Sequence, residues 1–546
     1  MDLTENKQYL CKKTYNTKLK KKINKYLFTS LFLISLTNLF SQESTRIQID
    51  SAGFFEKDDI KFSDATVLTR DNKNKVKISH EGVDLWCNQA YFYEKSNYIE
   101  AYGDVVLIQG DTINLSSEYL EYNGNTKIAF ASGDVELIEP TSVLSTDSLY
   151  FDRNKQEAFY NNFGRVIKAK EDTIYSKVGR FFIDKKKYEF RRNVLLKNPK
   201  YDITTSRLDF YTENGHAYFY GPTDIISDGS NIYCELGFYD TNSDNGYFIK
   251  ESRVEFNNST IYADSIYFDR NINFASATNN IKIIDTINEN ITRGNYAEIF
   301  KSKDSMFITQ KAIIASKQDV DSLYIRSDTI LITGNEDNRV IRAFKNARIF
   351  KQDLSGRADS IHYNKSKGLA QFININNKRD LSFEKTKKPI LFNLNNQITG
   401  DTIHLKFQKN TNKIDSLIVY NNAFILEKDS LGVGFNQLSG KALYGKFFNN
   451  ELKSIDIIKN AESIYYLRND KQELVTIDRS KSAKLKVYFK VSEIDKIQKI
   501  NQIDGKTYPE NKFNDNLKEL KGFNNRLDEK INSINELFNE IKEREN

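Results

Sequence analysis

Four histidines, at positions 80, 216, 362 and 404, are the chain's only imidazoles, and a metal centre or a histidine-based acid–base site would have to draw on them. No two lie within the few residues that a metal-binding helix or loop requires, so they read as strand residues facing water. Carboxylates are plentiful, and strings such as TDSLYFD (146–152) bring several together. They recur at outward positions in almost every repeat, whereas a catalytic pair belongs once, in a special setting. The stretch GVGFNQLSG (432–440) lacks the strand–helix context of a nucleotide loop and reads as a turn. No nucleophile elbow, zinc signature or phosphate loop stands out. The expectation is a non-enzyme without catalytic residues, metal or cofactor. Cys87 and Cys234 occupy nearly corresponding places five repeats apart. At ~4.8 Å per strand that separates them by ~25–50 Å, beyond the ~7 Å reach of a disulfide, so two free, buried thiols are expected.

The elements that carry these residues repeat. Residues 147–167 read DSLYFDRNKQEAFYNNFGRVI and residues 264–284 read DSIYFDRNINFASATNNIKII. Aromatics ending successive strands fall at Tyr93, Tyr122, Phe151, Phe182, Phe210, Tyr239 and Phe268, spaced 29, 29, 31, 28, 29 and 29. Two residues earlier comes another apolar side chain (Tyr91, Leu120, Leu149, Leu208, Ile266). Seven or eight later comes a small one (Ala101, Ala129, Ala158, Ala217, Gly246, Ala275). A second alternating strand follows, as in GDVVLI (103–108) and GDVELI (133–138). Residues two apart in a strand share a face, so each repeat is a strand pair with one apolar side. One pair cannot bury that side alone, and stacked pairs make a continuous interior.

Past residue 290 the period loosens but keeps its two-strand pattern, in segments such as 296–315, 358–373, 400–426 and 440–466, with an irregular insertion near 374–398. The array spans about residues 45–500. It divides into 42–290, with a regular period, and 291–505, with longer turns. From 506 to 546 the pattern changes: Leu517, Leu520, Phe523, Leu527, Ile531, Ile534, Phe538 and Ile541 recur at steps of three and four, which predicts an amphipathic helix covering the last open strand edge.

The N-terminus reads as an export signal. Lys18, Lys20, Lys21, Lys22 and Lys25 precede an apolar run from Tyr26 to Phe40, too short to span a bilayer comfortably, and cleavage after Ser41 leaves a chain beginning QESTRIQID. The leader holds eight lysines and two acids, so the remainder has 72 basic and 72 acidic residues and the net charge of +6 vanishes. A neutral chain without a basic block gives no footprint for nucleic acid.

The units NQAYFYEKSNYIEAYGDVVLIQGD (88–111) and SSEYLEYNGNTKIAFASGDVELIEP (116–140) resemble the repeats of the LptA/OstA family, periplasmic lipopolysaccharide-transport proteins, through an Ala-x-Gly-Asp-Val hinge at 101–105 and 131–135. The length is similar to that of the extended OstA-like proteins of Bacteroidetes. The resemblance implies an all-β fold, an elongated repeat β-jellyroll of antiparallel strands in two facing sheets. It also implies acyl chains lying between the sheets. Inward positions of matching repeats then become groove candidates: Tyr91, Tyr93, Val105, Leu107, Leu120, Tyr122, Val135, Leu137, Leu149, Phe151, Leu208, Phe210, Ile266 and Phe268. The implied partners are lipopolysaccharide, through its lipid A acyl chains, and other Lpt-type components joined by edge-strand pairing, with self-association by the same route. The implied place is the periplasm, at or near the outer membrane. Two other architectures fit the alternation: a β-solenoid binding polysaccharide or protein on its outer face, and an outer-membrane β-barrel.

Overall fold

The computed structural model describes residues 46–538, except 58–63, 169–171, 318–321, 375–387, 409–412, 491–492 and the single positions 257, 288, 336, 353 and 430. The expected export signal, most of the expected insertion and the last eight residues lie outside the described residues. By contacts the chain forms two units, one of residues 1–139 with 147–157, the other of residues 140–146 with 158–546.

Both units are built from long antiparallel strands of alternating length: 12 residues in Tyr98–Gln109, 11 in Ile113–Asn123, 12 in Lys187–Asn198, 11 in Tyr201–Tyr211. The extra residue is a bulge made by two consecutive residues in the left-handed region. Examples are Gly103 and Asp104 (φ 71° and 45°), Gly133 and Asp134, Arg192 and Asn193, and Asn279 and Asn280 (φ 60° and 51°). Pairing slips by one residue there, between Tyr102 and Val105 or between Thr278 and Ile281. A bulge bends its strand, so residues before it belong to one wall and residues after it to a second wall facing the first. The bend is pinned from outside by a carboxamide on the hinge and a carboxylate on the next strand. Asn280 Nδ2 donates to Asp264 at 2.9 Å, and Asn422 Nδ2 to Asp401 at 2.9 Å. Inside the bend the opposed residues are small, as in Thr205 and Thr223, Ser252 and Ala263, Ala312 and Ser327, and Ala347 and Ala358.

The recurring phrase DSxYFDRN now has a part for every polar residue. In the copy at 264–271 the first Asp clamps the hinge. The second, Asp269, accepts the Asn271 and Ile272 amides, as Asp152 accepts those of Asn154 and Lys155, a side-chain-closed turn. The Asn of each phrase bonds the preceding turn, Asn154 to Thr126 O and Asn271 to Ser243 O. In these repeats the small residue after the aromatic is its cross-strand partner: Tyr122 lies opposite Ala129, Phe210 opposite Ala217, and Tyr239 opposite Gly246, whereas Tyr93 lies opposite Tyr98. Cys87 and Cys234 are free and buried, and burial pushes both thiols up to about 12.

The C-terminal helix is not found. After the strand Asp504–Tyr508 the chain runs through four short 3-10 turns as an irregular strap, with Gly522 at φ +94°. It lies on the outer face of one wall and not along a strand edge. Phe513 and Leu520 pack on Phe424, Leu426, Ile464 and Ile477, while Ile531 and Leu537 pack on Ile313. Two buried glutamines hold its backbone as a neighbouring strand would. Gln437 donates to Lys518 O (2.6 Å) and accepts from Leu520 N (2.9 Å); Gln397 donates to Asn524 O (2.8 Å) and accepts from Arg526 N (2.8 Å). Steps of three and four residues thus match the sites available on a wall, and backbone groups satisfied by side chains have no need of a helix.

Outside the walls, register-opposed acids are neutralised locally. Glu189 faces Asp209, and Lys187 Nζ lies 3.0 Å from one and 2.8 Å from the other. Burial alone would raise the Glu189 carboxyl, but the hydrogen bond and charge of Lys187 outweigh it and hold the group below its usual range.

Two outcomes follow from this packing. A Cβ on Gly246 would stand 2.4 Å from Phe238 O and 2.8 Å from the Tyr239 ring, so Gly246→Ala should cost about 1–3 kcal/mol, read from the urea midpoint. A carboxylate whose folded pKa is depressed stabilises fully above its unfolded value, near ~4.3 for Glu, and loses that stabilisation as pH falls through the lower folded value. Lys187→Met should therefore cost about 1–2 kcal/mol at pH 7, with the deficit against the parent shrinking below pH ~4 in paired denaturation curves.

Candidate functional site

Within each unit, taken by itself, the two walls enclose an apolar space. In the first unit one wall presents Ala90, Ala101, Leu120 and Ala131 as a cross-strand row, and the other presents Leu85, Leu107, Leu115 and Leu137. The second unit has its own rows, Phe190, Leu208, Phe219, then Phe248 and Ile266, opposite Leu196, Ile203, Ile225, Ile232, Val254 and Ile261. Every one of these is buried.

Of the groove candidates, Val105, Leu107, Leu120, Tyr122, Val135, Leu137, Leu149, Phe151, Leu208, Phe210 and Ile266 point between the walls and are at most 3% exposed. Phe268 is half-buried at the rim. Tyr91 and Tyr93 are on the opposite, outer face: Ala90 and Phe92 hold the inner places, and Phe92 pairs with Ile99, the partner of Tyr122. A register shift of one residue turns every side chain over, and the aromatic pair Phe92-Tyr93 offered two choices. The same slip affects Phe182, whose neighbour Phe181 is the buried one. The uneven spacings of 31 and 28 around Phe182 were the sign of it.

Tightness varies along the slot. Tyr188 stacks between Phe181 and Phe190 with centroids 4.2 and 5.3 Å away, filling the interior there. Further on, a rim row of Phe268, Ile299, Met306 and Ile332, joined through Ala275, is only half-buried. Met306 lies in its middle, an unbranched side chain that adapts to irregular space.

Opposite the hinges, the turns of the two walls face each other along a seam held by polar contacts, which sequence reasoning missed. Arg153 donates to Gln109 (2.9 Å) and to the Tyr122 hydroxyl (2.7 Å), which also meets His80 Nδ1 at 2.7 Å. His80 is thereby buried and not in water as expected. In the second unit Ser142 meets Tyr188 (2.9 Å), Lys200 meets Asp244 (2.6 Å), Arg270 meets Ser227 (3.3 Å) and Arg339 meets Asp285 (2.8 Å). Lys301 Nζ sits 3.7 Å over the Phe256 ring. Partners are mostly 43–46 residues apart, one and a half periods. Arg153 and Arg270 are the arginines of the two DSxYFDRN copies, so recurrence of that residue was the available sign.

Among the described residues no three His, Cys, Asp or Glu side chains are grouped as a metal ion would need. The other histidines sit singly on strands: His216 against Phe238, His362 against Phe344, and His404 against Tyr420. Burial holds the His362 and His404 rings below the usual imidazole range, with Arg342 adding to the effect at His362. No described helix is long and apolar enough to cross a membrane.

No curated protein matches the chain. Among solved structures one similar to it is LptH of Pseudomonas aeruginosa, described as the LptA homologous periplasmic component of a conserved lipopolysaccharide transport device. It shares 16% identity over 29% of this chain and 96% of that one, with a TM-score of 0.21. The family model described as OstA-like protein matches residues 44–206. That stretch contains the Gly103-Asp104 and Gly133-Asp134 hinges and the first walls built from them, and over it the chain is similar to OstA-like protein.

Proposed function

We propose that this chain is a non-enzymatic, periplasmic lipopolysaccharide-binding protein of the transport or bridge type, serving outer-membrane assembly and holding lipid A acyl chains between its two walls. The observation that carries this reading is the pair of apolar rows within each unit, joined by backbone pairing along each wall and, among the described residues, by side-chain contacts across the seam. Walls so joined can part without loss of a ladder hydrogen bond. Burying a ~14-carbon chain is worth on the order of 10 kcal/mol at ~0.8 kcal/mol per methylene, less whatever inner packing it displaces. Displacement is smallest where the rim is half-open, so the row from Phe268 to Ile332 is the place of entry. Similar rows in successive repeats give a lipid no gradient, so direction comes from Lpt-type partners, met through exposed strand edges by added pairing.

The stacked, closed interior around Tyr188 favours a second reading, a scaffold filled by its own side chains that offers its outer face to polysaccharide or protein. A membrane barrel fits poorly, because the face it would turn to lipid carries Glu100, Glu121, Lys187, Glu189 and Arg191, and charges there are costly in hydrocarbon.

A photo-crosslinking side chain at Phe268 and one at its outward neighbour Tyr267 separate the readings. With purified lipopolysaccharide, Phe268 should yield lipid adducts and Tyr267 should not. Equal labelling at both sites would remove the interior slot from consideration.

A further inference from the structure

The outer face of the first unit repeats a charged arrangement of the second, with its cations taken away. Glu100 lies directly opposite Glu121, as Glu189 lies opposite Asp209. In the second unit the positions around that acid pair hold Arg180, Lys187, Arg191 and Arg207. By register the corresponding positions in the first unit hold Tyr91, Tyr98, Tyr102 and Tyr119. All four cations are replaced by tyrosine. Where Lys187 bridges its two carboxylates and is flanked by the Phe182 and Tyr211 rings, each 5.8 Å from Nζ, neither Glu100 nor Glu121 has a cationic partner among the described residues.

Like charges directly opposed across a strand pair destabilise it. Here they are held in place by phenols: Tyr102 donates to Glu100 (3.2 Å) and Tyr119 to Glu121 (2.7 Å). The rings form walls around the acids, Tyr91 with Tyr102 at 5.8 Å and 82°, Tyr102 with Tyr119 at 4.9 Å. Beside Glu100 lies an open pocket of about 360 Å³ lined by Gln89, Tyr91, Tyr93, Glu100 and Tyr102, with Glu121 directly across the strand pair from Glu100. Tyrosine faces and carboxylates together attract one class of group, an organic cation, since the ring quadrupole and the acid charge act with the same sign.

We propose that this pocket binds the primary ammonium of a lysine side chain from a partner polypeptide, in the manner of Lys187 in the related repeat. The inference is independent of the lipid reading. The partner's lysine stem lies along the tyrosine faces while its ammonium reaches Glu100, the carboxylate that lines the pocket, and the charge of Glu121 directly opposite adds to the attraction.

The test uses the full chain carrying 3-fluorotyrosine at position 102, titrated in ¹⁹F NMR with Nα-acetyl-lysine N-methylamide, its norleucine counterpart and glucosamine. The lysine probe should give a saturable shift and the norleucine probe none. Glu100→Gln with Glu121→Gln should weaken binding at least about tenfold. Tyr98→Lys, which restores the internal cation of the second unit, should weaken it equally while raising Tm, so a fold defect cannot imitate the result. A shift from norleucine equal to that from lysine, no saturable shift from lysine, unchanged affinity in Tyr98→Lys, or tighter binding of glucosamine would each overturn the proposal.

Discussion

The pair of left-handed residues at each corner is the constraint on which the rest depends. Without it a 12-residue strand would run straight, and the chain would form one flat sheet with no interior. A non-glycine residue in this region costs of order 1–3 kcal/mol, and a consecutive left-handed pair lies inside nine of the described strands. The cost is met at three of these corners by Asn–Asp bonds outside the bend, and small side chains oppose one another within several of them. Because both walls come from the same strands, they cannot drift out of register with each other.

Much of this was legible in the sequence because it rests on local chemistry. Gly-Asp at 103–104 and 133–134 marks a backbone that leaves the right-handed regions, and the regular spacing of aromatics follows from hairpins of constant length. The free thiols followed from repeat spacing alone. What failed did so for definite reasons. Phe92-Tyr93 and Phe181-Phe182 each put two aromatics side by side, and alternation cannot choose between adjacent rings. The C-terminal apolar steps fit a helix, but they fit equally a strap whose sockets are set by strand spacing. No local pattern reports that Gln397 and Gln437, far back in the chain, are waiting to grip it. The seam was hidden because its partners are one and a half periods apart, a distance at which nothing in the local sequence links Arg153 to Gln109.

Polar residues that looked redundant turn out to divide the labour of one hairpin. The acid before the strand fixes the bend, the acid after it closes the turn, the asparagine ties turn to turn, and the arginine reaches the facing wall. The apolar residues between them are left to face each other. The separation explains why carboxylates recur so densely: those of the phrase accept hydrogen bonds from backbone amides and carboxamides.

The stride of the seam sets a rule for how such a chain can change length. A tie between residues 44 apart straddles more than one hairpin, so duplicating or deleting a single hairpin inside its span would leave donor and acceptor facing strangers. Growth is tolerated at the ends of the array, outside the outermost ties. Copy number in this array is therefore governed by long-range stitching and not by the independence of its modules.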